Sequence, residues 1–182
     1  MNFYKCILFV LIVLNVAACN ILTPRTFGNF VRLDGFGLSR LSYFMARGEF
    51  RVGNSEFPVI LRAALSGGFL KISLSSDGGT LAKIWLFDSG KENKIDVYNG
   101  FPENVARGFV SDFMRAALGI VDGSCDREIE YSAEGNAIRL KSSDMVLSFS
   151  NFARVGDVSA PMEISAEQSL LGIKLRVLDF EK

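Results

Sequence analysis

From Gly48 to Tyr98 apolar residues recur at every second position. Phe57, Val59, Leu61, Ala63 and Leu65 share one face of an extended run, and Leu70, Ile72 and Leu74 oppose Lys71, Ser73 and Ser75 in the next. Side chains alternate between the two sides of a pleated strand, so this spacing predicts half-buried antiparallel strands. Asp77-Gly78-Gly79 supplies a turn, and the run from Thr80 to Asp88 carries the only tryptophan, Trp85. The period then changes. Pro102-Glu103 opens a helix, the proline fixing φ where no amide partner exists and the glutamate sitting near the positive end of the dipole. Val105, Phe109, Phe113, Ala116 and Ile120 follow at helical spacing, with Asn104, Ser111, Asp112 and Arg115 on the other side. This is an amphipathic helix of about four to five turns ending near Gly119. Its aromatic face suits either plain packing on a sheet or a plug over a greasy cavity.

Alternation returns after the helix. Ile129, Tyr131 and Ala133 alternate with Glu128 and Glu130, Glu134-Gly135-Asn136 makes a hairpin turn, and Ile138 and Leu140 alternate with Arg139 and Lys141. Met145, Leu147 and Phe149, then Met162 and Ile164, then Leu171, Ile173, Leu175 and Val177 continue the arrangement. Leu38 to Ala46 reads as a short helix. The sum is a mainly β (α+β) domain: about ten or eleven strands, one inserted amphipathic helix and a short N-terminal helix. No βαβ spacing or repeat is present, so the expected product is an antiparallel sheet curled over its own helices.

The first nineteen residues differ from the rest. Met1 to Lys5 carries one positive charge, and Cys6 to Val16 is apolar apart from Asn15, a length that suits a signal-peptide core and is short for a membrane-spanning helix. Val16-Ala17-Ala18-Cys19 resembles the bacterial lipobox. By that resemblance cleavage falls before Cys19, whose thiol receives a diacylglyceryl group and whose new amino group is acylated. One acyl chain holds weakly, at about 0.8 kcal/mol per buried methylene, whereas two or three anchor a protein durably. The alternatives are an uncleaved anchor helix, or a plain signal peptide with an incidental cysteine. Asn20 is compatible with transfer to the outer membrane. The expected organisation is therefore a signal peptide at 1–18, a lipidated N-terminus and tether at 19–37, marked by Pro24, Gly28, Asn29, Asp34 and Gly35, and one domain at 38–182. With Cys19 lipidated, Cys125 has no cysteine partner in the mature chain, and it reads as a small loop residue.

Composition narrows the chemistry. Twenty basic and twenty acidic side chains give a formal net charge of zero, which removes the bulk electrostatic case for nucleic acid. Histidine is absent, which excludes imidazole-based nucleophiles and His-ligated metal or haem. Gly35-Phe36-Gly37 follows no predicted strand and lacks a third glycine, so it is no dinucleotide loop. Asp126, Glu128 and Glu130 are flanked by Arg127 and read as a solvated surface rather than metal ligands. The expectation is a protein without catalytic residues, metal or cofactor.

The order of a helix, Arg47-Gly48-Glu49-Phe50-Arg51-Val52, strands, Gly78-Gly79-Thr80-Leu81-Ala82, a central helix and further strands resembles the LolA/LolB lipoprotein-localisation family. Ala46 to Val52 would be its opening strand. Ala160-Pro161-Met162-Glu163-Ile164 and Leu171-Gly172-Ile173-Lys174-Leu175 would be its final pair. The resemblance implies an open half-barrel with helices in its mouth, whose apolar cavity accepts lipoprotein acyl chains or other lipid. Leu61, Ile72, Leu74, Trp85, Phe109 and Phe113 would line that cavity; the alternative for each is ordinary core. The loop Asp77-Gly78-Gly79 would face the membrane where the family projects a leucine; an aspartate there enters hydrocarbon only at high cost. Either the correspondence slips by a few residues, or the protein binds lipid without the insertion step, or it is a relative with another role. The partners so implied are the outer membrane, reached from the periplasmic side through the covalent lipid, and a periplasmic LolA-like carrier, with the protein itself a monomer. A scaffolding envelope lipoprotein with a filled barrel is the competing expectation.

Overall fold

The computed structural model describes residues 30–66, 69–87, 94–122, 126–142 and 144–182. The signal peptide, Cys19, the tether up to residue 29 and Cys125 lie outside the described residues. Twelve strands are present among them, slightly more than the alternation predicts. Ten form one antiparallel sheet in the order β6-β5-β4-β3-β2-β12-β11-β10-β9-β8. These are β2 (Tyr43–Val52), β3 (Ser55–Ser66), β4 (Phe69–Ser76), β5 (Gly79–Phe87), β6 (Lys94–Val97), β8 (Arg127–Tyr131), β9 (Ala137–Ser142), β10 (Met145–Val155), β11 (Val158–Gln168) and β12 (Leu171–Glu181). The sheet is open, with β6 and β8 at its two ends. Two further strands, β1 (Phe30–Arg32) and β7 (Ile120–Asp122), pair with each other.

Each half of the sheet is a run of hairpins, and the halves meet where β2 pairs with β12. The connection between β6 and β8 must therefore travel from one end of the sheet to the other. It does so through a helical segment: α1 (Glu103–Val105), a π turn (Ala106–Val110) and α2 (Ser111–Ala117). The start of this segment contacts β6 and its end contacts β10 and β7. Gly119, at φ 71°, terminates it with its amide bonded to the Ala116 carbonyl at 2.9 Å. Ile120, expected on the helix, instead pairs with Arg32 as the first residue of β7.

The N-terminal helix expected at Leu38 to Ala46 is reduced to a 310 turn, Gly37–Arg40. From Tyr43 the chain is already strand, because Phe44 and Ala46 alternate inward and sit opposite Ala63 and Leu61 of β3. Tertiary pairing overrides the local helical spacing of Leu38 and Leu41. The tether also ends earlier than expected. β1 pairs with β7 from Phe30 on, and Phe36, 5% exposed, packs edge-on against Phe149 at 5.5 Å. Gly37 lies so close to β11 that a β-carbon on it would stand 1.8 Å from the Ser159 carbonyl oxygen.

The 310 turn abuts β11 where the sheet divides. Pairing between β11 and β12 stops at Glu163 opposite Arg176. Beyond it β11 continues on β10 alone, and β12 continues on β2 past a bulge at Leu178.

Candidate functional site

The inward face of the sheet is aliphatic because strand alternation delivers it so. Register places Leu61 opposite Leu74 and Leu74 opposite Ala82, with Ala63, Ile72 and Ile84 forming the next row. The helical segment lays its aromatic side on this face. The Phe109 ring meets Phe50 of β2 at 5.7 Å and 74°, and stacks on Phe113 at 6.4 Å. Phe101, just before α1, also meets Phe50 edge-on at 6.0 Å. Edge-to-face and offset contacts at these distances are the favoured aromatic geometries.

Five of the six side chains expected to line a cavity therefore share one apolar cluster. Leu61, Ile72, Leu74, Phe109 and Phe113 all have 0% exposure. Trp85 does not join them. The inward residues of β5 are Ala82, Ile84 and Leu86, so Trp85 stands on the opposite side of the sheet between Lys71 and Lys94. The Lys94 ammonium lies 4.7 Å from its ring centroid. In the β4–β5 turn, Asp77 and Gly78 are exposed and Gly79 opens β5 at φ 112°.

Two features escape sequence reading. Phe50, in the middle of β2, is the hub of the aromatic contacts, although only its strand was evident from the pattern. The second is the π turn. Ser111 is completely buried, and its hydroxyl donates to the Ala106 carbonyl at 2.8 Å, five residues back. A serine on the polar side of a helical wheel gives no sign of this, since the extra residue in the π turn rotates it inward. Such turns interrupt helices chiefly where a second requirement competes with regular hydrogen bonding.

A separate groove of about 440 Å3 lies at the fork between β11 and β12, lined by Asn151, Met162, Glu163, Arg176, Val177 and Leu178. None of the expected lining residues takes part in it. Among the described residues no cluster of three or more His, Cys, Asp or Glu is placed to hold a metal, and no helix is long and apolar enough to cross a membrane.

Electrostatically the site is neutral, and the perturbed groups lie elsewhere. The Asp157 carboxyl is held below the usual aspartate range by a hydrogen bond from Lys182 and then by its own backbone amide, against the opposing effect of burial, with the charges of Lys182 and Arg40 adding less. Glu134 is lowered by the Ser132 hydroxyl in the β8–β9 turn.

No family model matches the sequence, and no curated protein matches it. Among solved structures the chain is similar to a DUF1329 family protein from Desulfovibrio piger, with 9% identity and a TM-score of 0.40 over 81% of this chain and 91% of that one. It is also similar to a LolA superfamily protein from Nitrosomonas europaea, with 11% identity and a TM-score of 0.35 over 83% of this chain and 88% of that one.

Proposed function

We propose that this protein is an envelope lipoprotein, anchored through acylated Cys19 on the periplasmic side of the outer membrane, whose domain shelters acyl chains between the open sheet and the helical segment. Its work is burial rather than bond-making. The observation that carries this reading is the layer formed by Leu61, Ile72, Leu74, Phe109 and Phe113, continuous and wholly apolar, between a sheet that does not close on itself and a segment that crosses it from end to end. An acyl chain gains about 25 cal/mol for each Å2 of apolar surface it removes from water. It enters this layer by displacing the helical segment, which is joined covalently to the sheet only at its two ends. A LolA-like carrier is the natural donor on this reading.

One observation favours a second reading. All five side chains are fully buried, as in a barrel filled by its own core, which suits a scaffolding lipoprotein without cargo. The chain bearing Cys19→Ser, titrated with a fluorescent fatty acid, separates the two. Saturable binding that Phe109→Glu abolishes and Lys141→Glu leaves intact supports the acyl-sheltering role. A folded protein that binds no probe, or equal responses to both substitutions, overturns it.

A further inference from the structure

The face of β3 to β6 turned away from the helix has an unusual composition. Register aligns its outward side chains in rows that run across the strands: Arg62, Ser73, Lys83 and Asp96 in one, Ala64, Lys71, Trp85 and Lys94 in the next, and Ser66, Phe69 and Phe87 at the end. These rows hold four cations and one carboxylate, Asp96, which sits 3.6 Å from Lys94. Lys71 and Arg62 are exposed and, among the described residues, have no carboxylate within ion-pairing distance. Lys83 lies over the Tyr98 ring, 5.6 Å from its centroid.

In the rest of the sheet three of the outward cations are neutralised by neighbours. Arg139 pairs with Glu130 at 3.1 Å, Lys141 with Glu128 at 3.6 Å, and Arg51 with Glu167 at 3.3 Å. Exposed Arg47, Arg154, Lys174 and Arg176 there lack an ion pair too among the described residues, but they stand among the carboxylates of Glu49, Glu163 and Glu167. What sets β3 to β6 apart is that its cations share a face with aromatic rings. Phe69 and Phe87 contact each other at 6.3 Å, beside Trp85.

We infer that this face is a docking surface for an anionic phospholipid bilayer. Lysines attract acidic headgroups while tryptophan and phenylalanine settle at the level where headgroups meet acyl chains. The aromatic row lies at one end of β4 and β5, and the turn holding Asp77 lies at the other. Docked through this face, the strands tilt so that their ring-bearing end sits deeper in the bilayer than the turn holding Asp77. A single-stranded nucleic acid is the less favoured partner. Three of the four cations are lysines rather than the fork-shaped arginines that recognise phosphate bidentately, and Phe69 and Phe87 are occupied with each other rather than spaced to accept bases. The inference does not depend on whether the space under the helix takes an acyl chain.

The test uses the chain bearing Cys19→Ser, so that no acyl anchor contributes, mixed with vesicles of pure phosphatidylcholine or with about one third phosphatidylglycerol. Trp85, as the only tryptophan, reports directly on the surface. Expected are sedimentation with the anionic vesicles only, a blue shift of Trp85 emission, and release as salt rises toward about 1 M, where the screening length shrinks to about 3 Å. Removing each of Lys71, Lys83 and Lys94 should weaken binding about fivefold. Phe69→Ser with Phe87→Ser should weaken it without changing the salt dependence, and Lys141→Glu should leave it unchanged. Equal binding to both vesicle types, an effect of Lys141→Glu as large as that of Lys71→Glu, or tighter binding to a single-stranded oligonucleotide than to anionic vesicles would each overturn the inference.

Discussion

Phe109→Ala is the most informative single change. The ring has no exposed surface and is wedged between Phe50 at 5.7 Å and Phe113 at 6.4 Å. Truncation leaves a hole that neighbouring rings fill only in part, and such changes in packed cores cost about 3–5 kcal/mol. The aromatic pairs, at about 0.5–1.5 kcal/mol each, are contained in that figure rather than added to it. For a domain of this size the loss corresponds to a fall of roughly 6–20 °C in Tm, by calorimetry or by chemical unfolding followed through far-UV dichroism. The same variant tests the acyl-sheltering proposal. At one fixed probe concentration, set to about one hundred times the Kd of the truncated site, a fatty acid should restore about 2.7 kcal/mol to the variant and less to the parent, which must first displace the ring. A loss smaller than about 1 kcal/mol would show that Phe109 does not hold the helical segment to the sheet, and the account of the core would be wrong.

Other consequences follow from single contacts. A β-carbon on Gly48 would stand 1.8 Å from the Lys174 carbonyl oxygen of the adjacent strand, so Gly48→Ala should cost about 3 kcal/mol or more in urea unfolding. Gly53→Ala, with nothing within 4 Å of the added atom, should lose only about 1–2 kcal/mol for its φ of 60°; similar losses at the two positions would refute the close approach. Ser111→Ala removes the buried bond to Ala106 and should cost about 1 kcal/mol, and an unchanged midpoint would mean that the π turn does not need it. Asp157 has a lowered value in the folded protein, so its contribution is present above the ordinary aspartate range and is lost as pH falls through the depressed value. In an NMR titration of the carboxyl carbon, Lys182→Ala should move the Asp157 midpoint upward, and a midpoint that stays put would sink the assignment of Lys182 as its main partner.

Much of the fold is legible in the alternation, because an antiparallel strand with one buried face writes its period directly into the chain. Val59, Leu61 and Ala63, and likewise Leu70, Ile72 and Leu74, point inward as their spacing demands. Trp85 falls on the opposite face from the one its run suggests for a physical reason. The run from Thr80 to Phe87 is apolar at both parities, with Leu81, Trp85 and Phe87 against Ala82, Ile84 and Leu86, and a shift of one residue exchanges the two faces. Leu38 to Ala46 was misread because Leu38 and Leu41 match a helical period, while the partners that make Tyr43 to Ala46 a strand come from β3 and from the far end of the chain. The π turn was invisible because nothing in its composition departs from an ordinary helix.

The position of the last strand has a consequence for biosynthesis. β12 is made long after β2, yet it lies beside β2 in the interior of the sheet, setting Glu181 opposite Tyr43. While the polypeptide is still emerging from the ribosome or the translocon, β2 has one flank without a neighbour, and it stays so until β12 has been made. A premature stop that removes β12 would thus not trim the molecule but split it through the middle, leaving two sticky strands for chaperones or proteases to find.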